Sequence, residues 1–98
     1  MIKVIKRNGQ EVDFDANKIA IAINKAMHSS TGVYDEGLAE KIASEIETFA
    51  TTIGKKMSIY DIEDHVYYSL IKYGNPATAR AYENYKAVQT FKRLKNTT

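Results

Sequence analysis

Residues 2–14, IKVIKRNGQEVDF, carry apolar residues in loose alternation on both sides of the dipeptide Asn8-Gly9. Asn-Gly favours the positive φ angles of a two-residue hairpin turn, and the alternation favours strands with one buried face. The stretch therefore predicts a β-hairpin with its turn at Asn8-Gly9. Because an isolated hairpin is marginal in water, we expect it to pack on the rest of the chain and to bury Phe14 with some of Ile2, Val4 and Val12.

Two helices are predicted after the hairpin. Asp15 can cap the first, because its side chain can accept a hydrogen bond from a helix N–H group that has no other partner. Apolar residues then recur at helical spacing to about His28. A second periodic run extends from about Asp35 to Ile53, and the Gly54 that follows is a typical helix stop.

A third helix is predicted from Ser58, because an acid three residues later, Asp61, completes the pattern of a helix start. Gly74-Asn75-Pro76 ends this helix and begins a fourth, which reaches about Leu94. Glycine suits the position after a helix, asparagine caps the next one, and proline fits its first turn. Lys56-Met57, just before the third helix, is a candidate short third strand.

These segments together predict one α+β domain over residues 1–98. Its N-terminal β-hairpin, with the candidate third strand, caps a four-helix bundle. Short connections favour antiparallel neighbouring helices, which is the usual arrangement in such bundles. A chain of 98 residues can bury one modest core without disulfides.

The composition excludes several classes of site. The chain has no cysteine, which removes disulfides, thiolate metal ligands and cysteine nucleophiles. Its two histidines lack the spacing of a metal-binding pair, so we expect no metal site. No apolar run has the length of a membrane span, and no signal peptide is legible. We therefore expect no membrane association and a cytoplasmic location.

Three cations in the first part of the chain suggest an anion site. Lys6 and Arg7 precede the predicted turn, and Lys18 lies in the first turn of the first helix. A cation there is slightly unfavourable unless an anion binds nearby. The three side chains could converge on the phosphates of a nucleotide. The alternative is structural: positive charge protects an exposed edge strand from pairing with other chains, and Lys18 is then an ordinary surface lysine.

The remaining motifs give no catalytic residue. Neither a P-loop nor a G-x-G-x-x-G segment is present, and no nucleophile–base–acid arrangement is legible. Glu63 suits the dipole at the start of the third helix, and it is also a candidate for contacting an adenine amino group. The tyrosines of the last two helices are expected mostly in the core or in an interface, with one or two as candidates for stacking on a base.

Two groups of residues resemble the ATP-cone domain family. The first group is the opening Val4-Ile5-Lys6-Arg7-Asn8-Gly9, with Phe14-Asp15 and Lys18-Ile19. The second is Ser58-Ile59-Tyr60-Asp61-Ile62-Glu63-Asp64 with Val66, then Ala79-Arg80-Ala81-Tyr82 and Tyr85-Lys86. The resemblance covers essentially the whole chain in the correct order, so it is much more specific than any of its pieces.

The resemblance implies a non-catalytic regulatory module that binds ATP or dATP as an allosteric ligand, with Mg²⁺ as a candidate companion ion. Such modules occur at the N-terminus of ribonucleotide reductases and in a zinc-ribbon repressor of their genes, whose cysteines are absent here. The opening and Tyr85-Lys86 look most like the anaerobic, glycyl-radical reductase, and the start at Met1 fits an N-terminal domain. The chain would then be an excised domain or a free-standing cone.

Carried over by position, the resemblance assigns nucleotide contacts to Val4, Lys6, Arg7, Lys18, Ile19, Glu63 and Lys86. The cations would hold phosphates, Ile19 would contact base or sugar, and Glu63 would read the base. Lys86 stands where many members have arginine, and a lysine is only a point charge for a phosphate.

The expected partners are the nucleotide effector and the catalytic domain or subunits of a reductase, with a homo-oligomer as a further candidate. Two other functions stay open. One is a basic nucleic-acid-binding module, which would show a steep salt dependence but which the mild net charge of +2 does not favour. The other is a helical assembly domain that binds a protein partner and no nucleotide.

Overall fold

In a computed structural model, which describes residues 2–30 and 35–84, three strands form one sheet and four helices follow the N-terminal hairpin. The strands are β1 (Lys3–Ile5), β2 (Glu11–Asp13) and β3 (Met57–Ser58), and the first three helices are α1 (Ala16–Ser29), α2 (Glu36–Ile53) and α3 (Ile59–Lys72). Residues 76–84 are helical and form α4. The predicted α+β class is confirmed. The rest of the predicted fourth helix, including Lys86, lies outside the described residues.

The sheet has β1 in its centre. β1 pairs antiparallel with β2 and parallel with β3, so that Val4 faces Val12 on one side and Met57 on the other. The candidate third strand is therefore present, one residue later than predicted. Because Lys6 and Arg7 follow a central strand, their charges do not serve to protect an edge strand.

The hairpin turn differs from the predicted one. Lys6 N–H donates to the Gln10 carbonyl at 2.8 Å, and Gly9 N–H donates to the Lys6 carbonyl at 2.9 Å. Arg7 and Asn8 are therefore the central residues of the turn, and Gly9 follows with a φ of 85°. This is a three-residue loop with a glycine bulge. The prediction of a two-residue turn was wrong because Asn8 keeps a negative φ, and its Oδ1 accepts from Gln10 N–H at 3.0 Å.

The caps confirm the predicted helix starts. The side chains of Asp15 and Asp35 accept hydrogen bonds from helix N–H groups at 3.0 and 3.2 Å. Ser58 and Asp61 form a reciprocal capping box at the start of α3. Gly54 ends α2 with a φ of 63°, a left-handed conformation that suits glycine.

The core lies between the helices and one face of the sheet. Its largest fully enclosed side chains are those of Ile23, Ile42, Ile46, Leu70, Val66 and Thr78. Val4 and Met57 supply the buried residues of the sheet, and Ile2 and Phe14 are partly buried against them, as predicted. Val12, the remaining candidate of that set, is 38% exposed, because it lies on the edge strand β2.

Gly37 in α2 and Gly54 at the C-terminal cap of α2 test the backbone argument with opposite signs. Gly54 has the left-handed backbone, whereas at Gly37, inside the helix, an added Cβ would meet only a side-chain oxygen of Asp35 at 3.4 Å. We expect Gly54→Ala to lower the free energy of unfolding by about 1 kcal/mol. Gly37→Ala should raise it by roughly 0.5 kcal/mol, because alanine has the higher helix propensity. Urea unfolding followed by circular dichroism measures both free-energy changes. Equal changes of the same sign would contradict the backbone conformations described for the two glycines.

Candidate functional site

The carboxyl ends of β1 and β3 lie side by side at one edge of the sheet. Ile5 at the end of β1 faces Ser58 at the end of β3, and α3 begins at the next residue. Lys6 and Arg7 continue from β1, so the hairpin loop stands beside the first turn of α3. In open sheets, ligands bind outside the carboxyl ends of parallel strands. We therefore place the candidate site at this edge.

Arg7 and Glu63 form a buried ion pair at this edge. Arg7 Nη2 donates to Glu63 Oε2 at 2.5 Å, and the two side chains are only 13% and 8% exposed. The residues are 56 positions apart in the chain. The family resemblance assigns Arg7 to phosphate and Glu63 to the base, and their contact with each other was not predicted. No local pattern reveals this contact, because it depends on the pairing of β1 with β3.

Tyr60 contacts the same arginine from a different direction. The Cζ atom of Arg7 lies 5.3 Å from the centre of the Tyr60 ring, within the range of a cation–π interaction. Tyr60 and Glu63 are three residues apart on α3, a spacing that puts side chains on one helix face. The first turns of α3 therefore hold the guanidinium of Arg7 with an aromatic ring and a carboxylate.

The second carboxylate oxygen of Glu63 has no donor. Glu63 is 6% exposed, and its Oε1 atom is buried without a hydrogen-bond partner among the described residues. A buried polar atom without a partner costs about 1–3 kcal/mol, and more when the group is charged. Oε1 is therefore an acceptor that a bound molecule could satisfy.

Lys6 and Val4 lie on the face of the sheet that packs against the helices. The bond from Lys6 N–H to Gln10 continues the hairpin ladder by one residue, so the side chains of Lys6 and Val4 share a face. Val4 is 6% exposed and belongs to the core, and Lys6 is partly buried. Lys6 is thus not part of the exposed face of the sheet. Nucleotide contacts of both residues stay predictions.

Lys18 and Ile19 lie in the first turn of α1. Ile19 is partly buried against the core and Lys18 is exposed. α1 follows the open end of the hairpin, where Phe14 N–H donates to the Ile2 carbonyl at 2.9 Å. Ile2 and Arg7 are separated by roughly 16 Å of extended chain. Convergence of Lys18 with Arg7 stays a prediction, and one ligand that contacts both must extend along the sheet.

The opposite face of the sheet carries a different kind of ion pair. Lys3 pairs with Asp13, and Lys56 Nζ lies 2.8 Å from a carboxylate oxygen of Glu11, with all four side chains well exposed. The hydrogen bond to Asp13 and the charge of that carboxylate raise the pKa of Lys3. A raised lysine pKa adds stability at neutral pH that is lost as the pH rises through it. These cations are thus paired with acids on the sheet itself.

Two further findings concern residues 2–30 and 35–84. No group of three or more histidine, aspartate or glutamate side chains in these ranges is arranged to hold a metal ion. None of the helices found there combines the length and the apolar character needed to cross a bilayer.

A comparison with protein families gives the class of the chain. Its sequence matches the ATP cone domain over residues 2–90, which include every strand and helix described above. ATP cones are non-catalytic, nucleotide-binding regulatory domains that bind ATP or dATP as allosteric effectors. The chain belongs to the ATP-cone family, and the resemblance noted in the sequence is confirmed at that level. No curated protein matches the chain at a significant level.

The buried ion pair makes a specific prediction about stability. Arg7→Ala leaves the Glu63 carboxylate buried without its counter-charge, so we expect it to lower the free energy of unfolding by about 3–5 kcal/mol. Replacing both partners with apolar residues, Arg7→Met with Glu63→Leu, should recover most of that loss. Urea unfolding of the single and double variants measures the coupling between the two residues.

The surface pair provides the matched control for this experiment. Lys56→Ala breaks a pair whose side chains are 56% and 45% exposed, so it should change stability by less than about 1 kcal/mol. If Arg7→Ala costs no more than Lys56→Ala, the Arg7–Glu63 pair is not the buried interaction described here.

Proposed function

We propose that the chain is a cytoplasmic sensor of ATP and dATP that regulates a ribonucleotide reductase, with the anaerobic, glycyl-radical type favoured. Membership of the ATP-cone family supports a nucleotide effector. The opening residues and Tyr85-Lys86 support the choice of reductase by resemblance. The regulated partner would be the catalytic domain or the subunits of that enzyme, and self-association of the cone is a further route of control.

The observation that carries the nucleotide proposal is the unpartnered Oε1 atom of Glu63. It is a buried acceptor beside a fixed cation, at the end of a parallel strand pair. Adenine presents an amino donor on carbon 6, whereas guanine presents a carbonyl acceptor there. Glu63 would therefore accept a hydrogen bond from adenine and would repel the guanine carbonyl. This chemistry explains why the effector is an adenine nucleotide.

Lys6, Arg7 and Lys18 would hold the phosphates, with Lys86 as a further cation. A guanidinium carries several N–H donors, so Arg7 could contact a phosphate as well as Glu63. Lys18 lies on α1, which follows the open end of the hairpin, whereas Arg7 lies in the hairpin loop. Lys18 would therefore contact a different part of the triphosphate from Arg7. Val4 and Ile19 would give apolar contacts to base or sugar, and Mg²⁺ could accompany the phosphates.

ATP and dATP differ by one ribose hydroxyl, and a single hydrogen bond contributes only about 1 kcal/mol. Such a difference does not suffice for a switch by affinity alone. The two nucleotides would therefore act by stabilising different conformations or assemblies of the regulated enzyme. A reading frame that continues beyond Thr98 into a catalytic region with a radical glycine would support the anaerobic reductase. A different catalytic region would contradict that choice.

The role of Glu63 is tested with inosine triphosphate, which replaces the adenine amino group by a carbonyl. We expect the chain to prefer ATP by about tenfold to hundredfold, the effect of one hydrogen bond to a charged group. Glu63→Gln should lose most of this preference, while Asp64→Asn, at the exposed neighbouring acid, should keep it. Isothermal calorimetry measures the affinities. An unchanged ratio in Glu63→Gln would refute the base contact.

The phosphate contacts are tested with lysines on the same elements. Lys6→Ala and Lys18→Ala should each weaken ATP binding by about tenfold, because each removes one charge-assisted contact. Lys25→Ala, an exposed lysine farther along α1, serves as the control and should change the affinity by less than about twofold. If Lys18→Ala behaves like Lys25→Ala, Lys18 is not a phosphate ligand.

A further inference from the structure

Arg7 occupies a position where its orientation must be imposed by its neighbours. It is a central residue of the hairpin turn, beyond the last paired residue of β1. A long, flexible side chain in such a position has many rotamers, and ordering it on ligand binding would cost affinity. Its side chain is nevertheless only 13% exposed. The groups that hold it therefore determine how it meets a ligand.

Glu63 and Tyr60 constrain the guanidinium in complementary ways. The carboxylate of Glu63 binds the N–H edge of the group through Nη2, which fixes a direction within its plane. An aromatic ring attracts a guanidinium through its face, and the Tyr60 ring lies at 5.3 Å. An edge contact alone leaves the plane able to rotate, and a face contact alone leaves the direction unset. The two contacts together restrict both the direction and the plane of the group.

The observed pairing also leaves Glu63 able to read a base. Arginine and carboxylate commonly form a two-bond fork that occupies both oxygens. Here Arg7 contacts Oε2, and Oε1 keeps no partner in the described part of the chain. If the Tyr60 ring did not hold it, the guanidinium could rotate, donate to both oxygens of Glu63 and so occupy Oε1. The contact with Tyr60 thus affects the availability of Glu63 Oε1 as well as the orientation of Arg7.

We propose that Tyr60 is a positioning residue of the nucleotide site: its ring holds the plane of the Arg7 guanidinium, which keeps Oε1 of Glu63 available to the base. The arginine that binds phosphate and the carboxylate that reads the base then act as one unit. Tyr60 itself is 51% exposed, so its ring contributes little to the core. The proposal rests on the proposed function for the identity of the ligand.

The test compares three variants of the full chain. Tyr60→Leu removes the aromatic face, Tyr60→Phe keeps the face and loses the hydroxyl, and Tyr68→Leu changes another exposed tyrosine of α3 (66% exposed) as the control. We expect Tyr60→Leu to weaken ATP binding by about 3- to 30-fold, the size of a cation–π contact. It should also lower the preference for ATP over inosine triphosphate. Tyr60→Phe and Tyr68→Leu should change both by less than about twofold.

A second measurement needs no nucleotide. The Arg7 side-chain N–H resonances in a ¹H–¹⁵N spectrum should carry a ring-current shift that Tyr60→Leu abolishes and Tyr60→Phe retains. If the chain binds no ATP, the proposed function fails, and this spectrum still decides whether Tyr60 positions Arg7. Three results would overturn the proposal: unchanged Arg7 resonances in Tyr60→Leu, an unchanged preference for ATP in that variant, or a loss in Tyr60→Phe as large as in Tyr60→Leu.

Discussion

The parallel pairing of β1 with β3 is the constraint on which the site depends. Val4 and Ile5 pair with Met57 and Ser58, and a parallel pair needs a long crossover connection, which β2, α1 and α2 provide. The pairing brings the loop after β1 beside the first turn of α3. Without it, a turn residue near the N-terminus and a helix residue 56 positions later would not form an ion pair.

Stability alone does not account for the Arg7–Glu63 pair. A buried ion pair is often no more stabilising than two apolar residues of similar size, and this pair leaves one carboxylate oxygen without a donor. Native proteins retain few such atoms, and functional sites are where local rules are broken. The ion pairs on the opposite face of the sheet are exposed, so their charged groups are not buried away from water. The contrast supports the proposal that a ligand binds at the Arg7 edge.

Local signals in the sequence were sufficient for the helices and insufficient for the site. Caps such as Asp15 and Ser58 act on N–H groups within three residues, so the sequence alone could place the starts of α1 and α3. Asn8-Gly9 is compatible with more than one hairpin loop, and the pairing of Lys6 with Gln10 selects the longer one. That choice depends on the register of the strands, which no single dipeptide determines.

The contacts of Arg7 could not be predicted from the sequence for a related reason. The family resemblance could assign it and Glu63 to a ligand by position, but it carried no information about their contact with each other. The sequence alone does not distinguish Tyr60 from the other tyrosines of the last two helices, because a stripe of aromatic residues indicates a core or an interface. Only the three-residue spacing from Tyr60 to Glu63 hinted that both face the same side of α3.

The placement of the charges also weighs the alternative functions against each other. A protein that binds a nucleic-acid backbone needs cations that reach its phosphates from an exposed surface. Lys3 and Lys56 on the exposed face of the sheet are instead paired with acids, while Lys6 and Arg7 are partly buried. Partly buried cations such as Lys6 and Arg7 suit a ligand small enough to reach them at the end of the strands.

An assembly domain that owes its binding to tyrosines would need those rings to be available. Tyr60 lies against Arg7, Tyr73 donates a hydrogen bond to Glu45, and Tyr82 is 7% exposed in the core. These three rings already have partners within the chain. The ring nearest the candidate site thus contacts an arginine of the same protein although it is 51% exposed, and a purely adhesive role would have to use it together with Tyr68, which is 66% exposed.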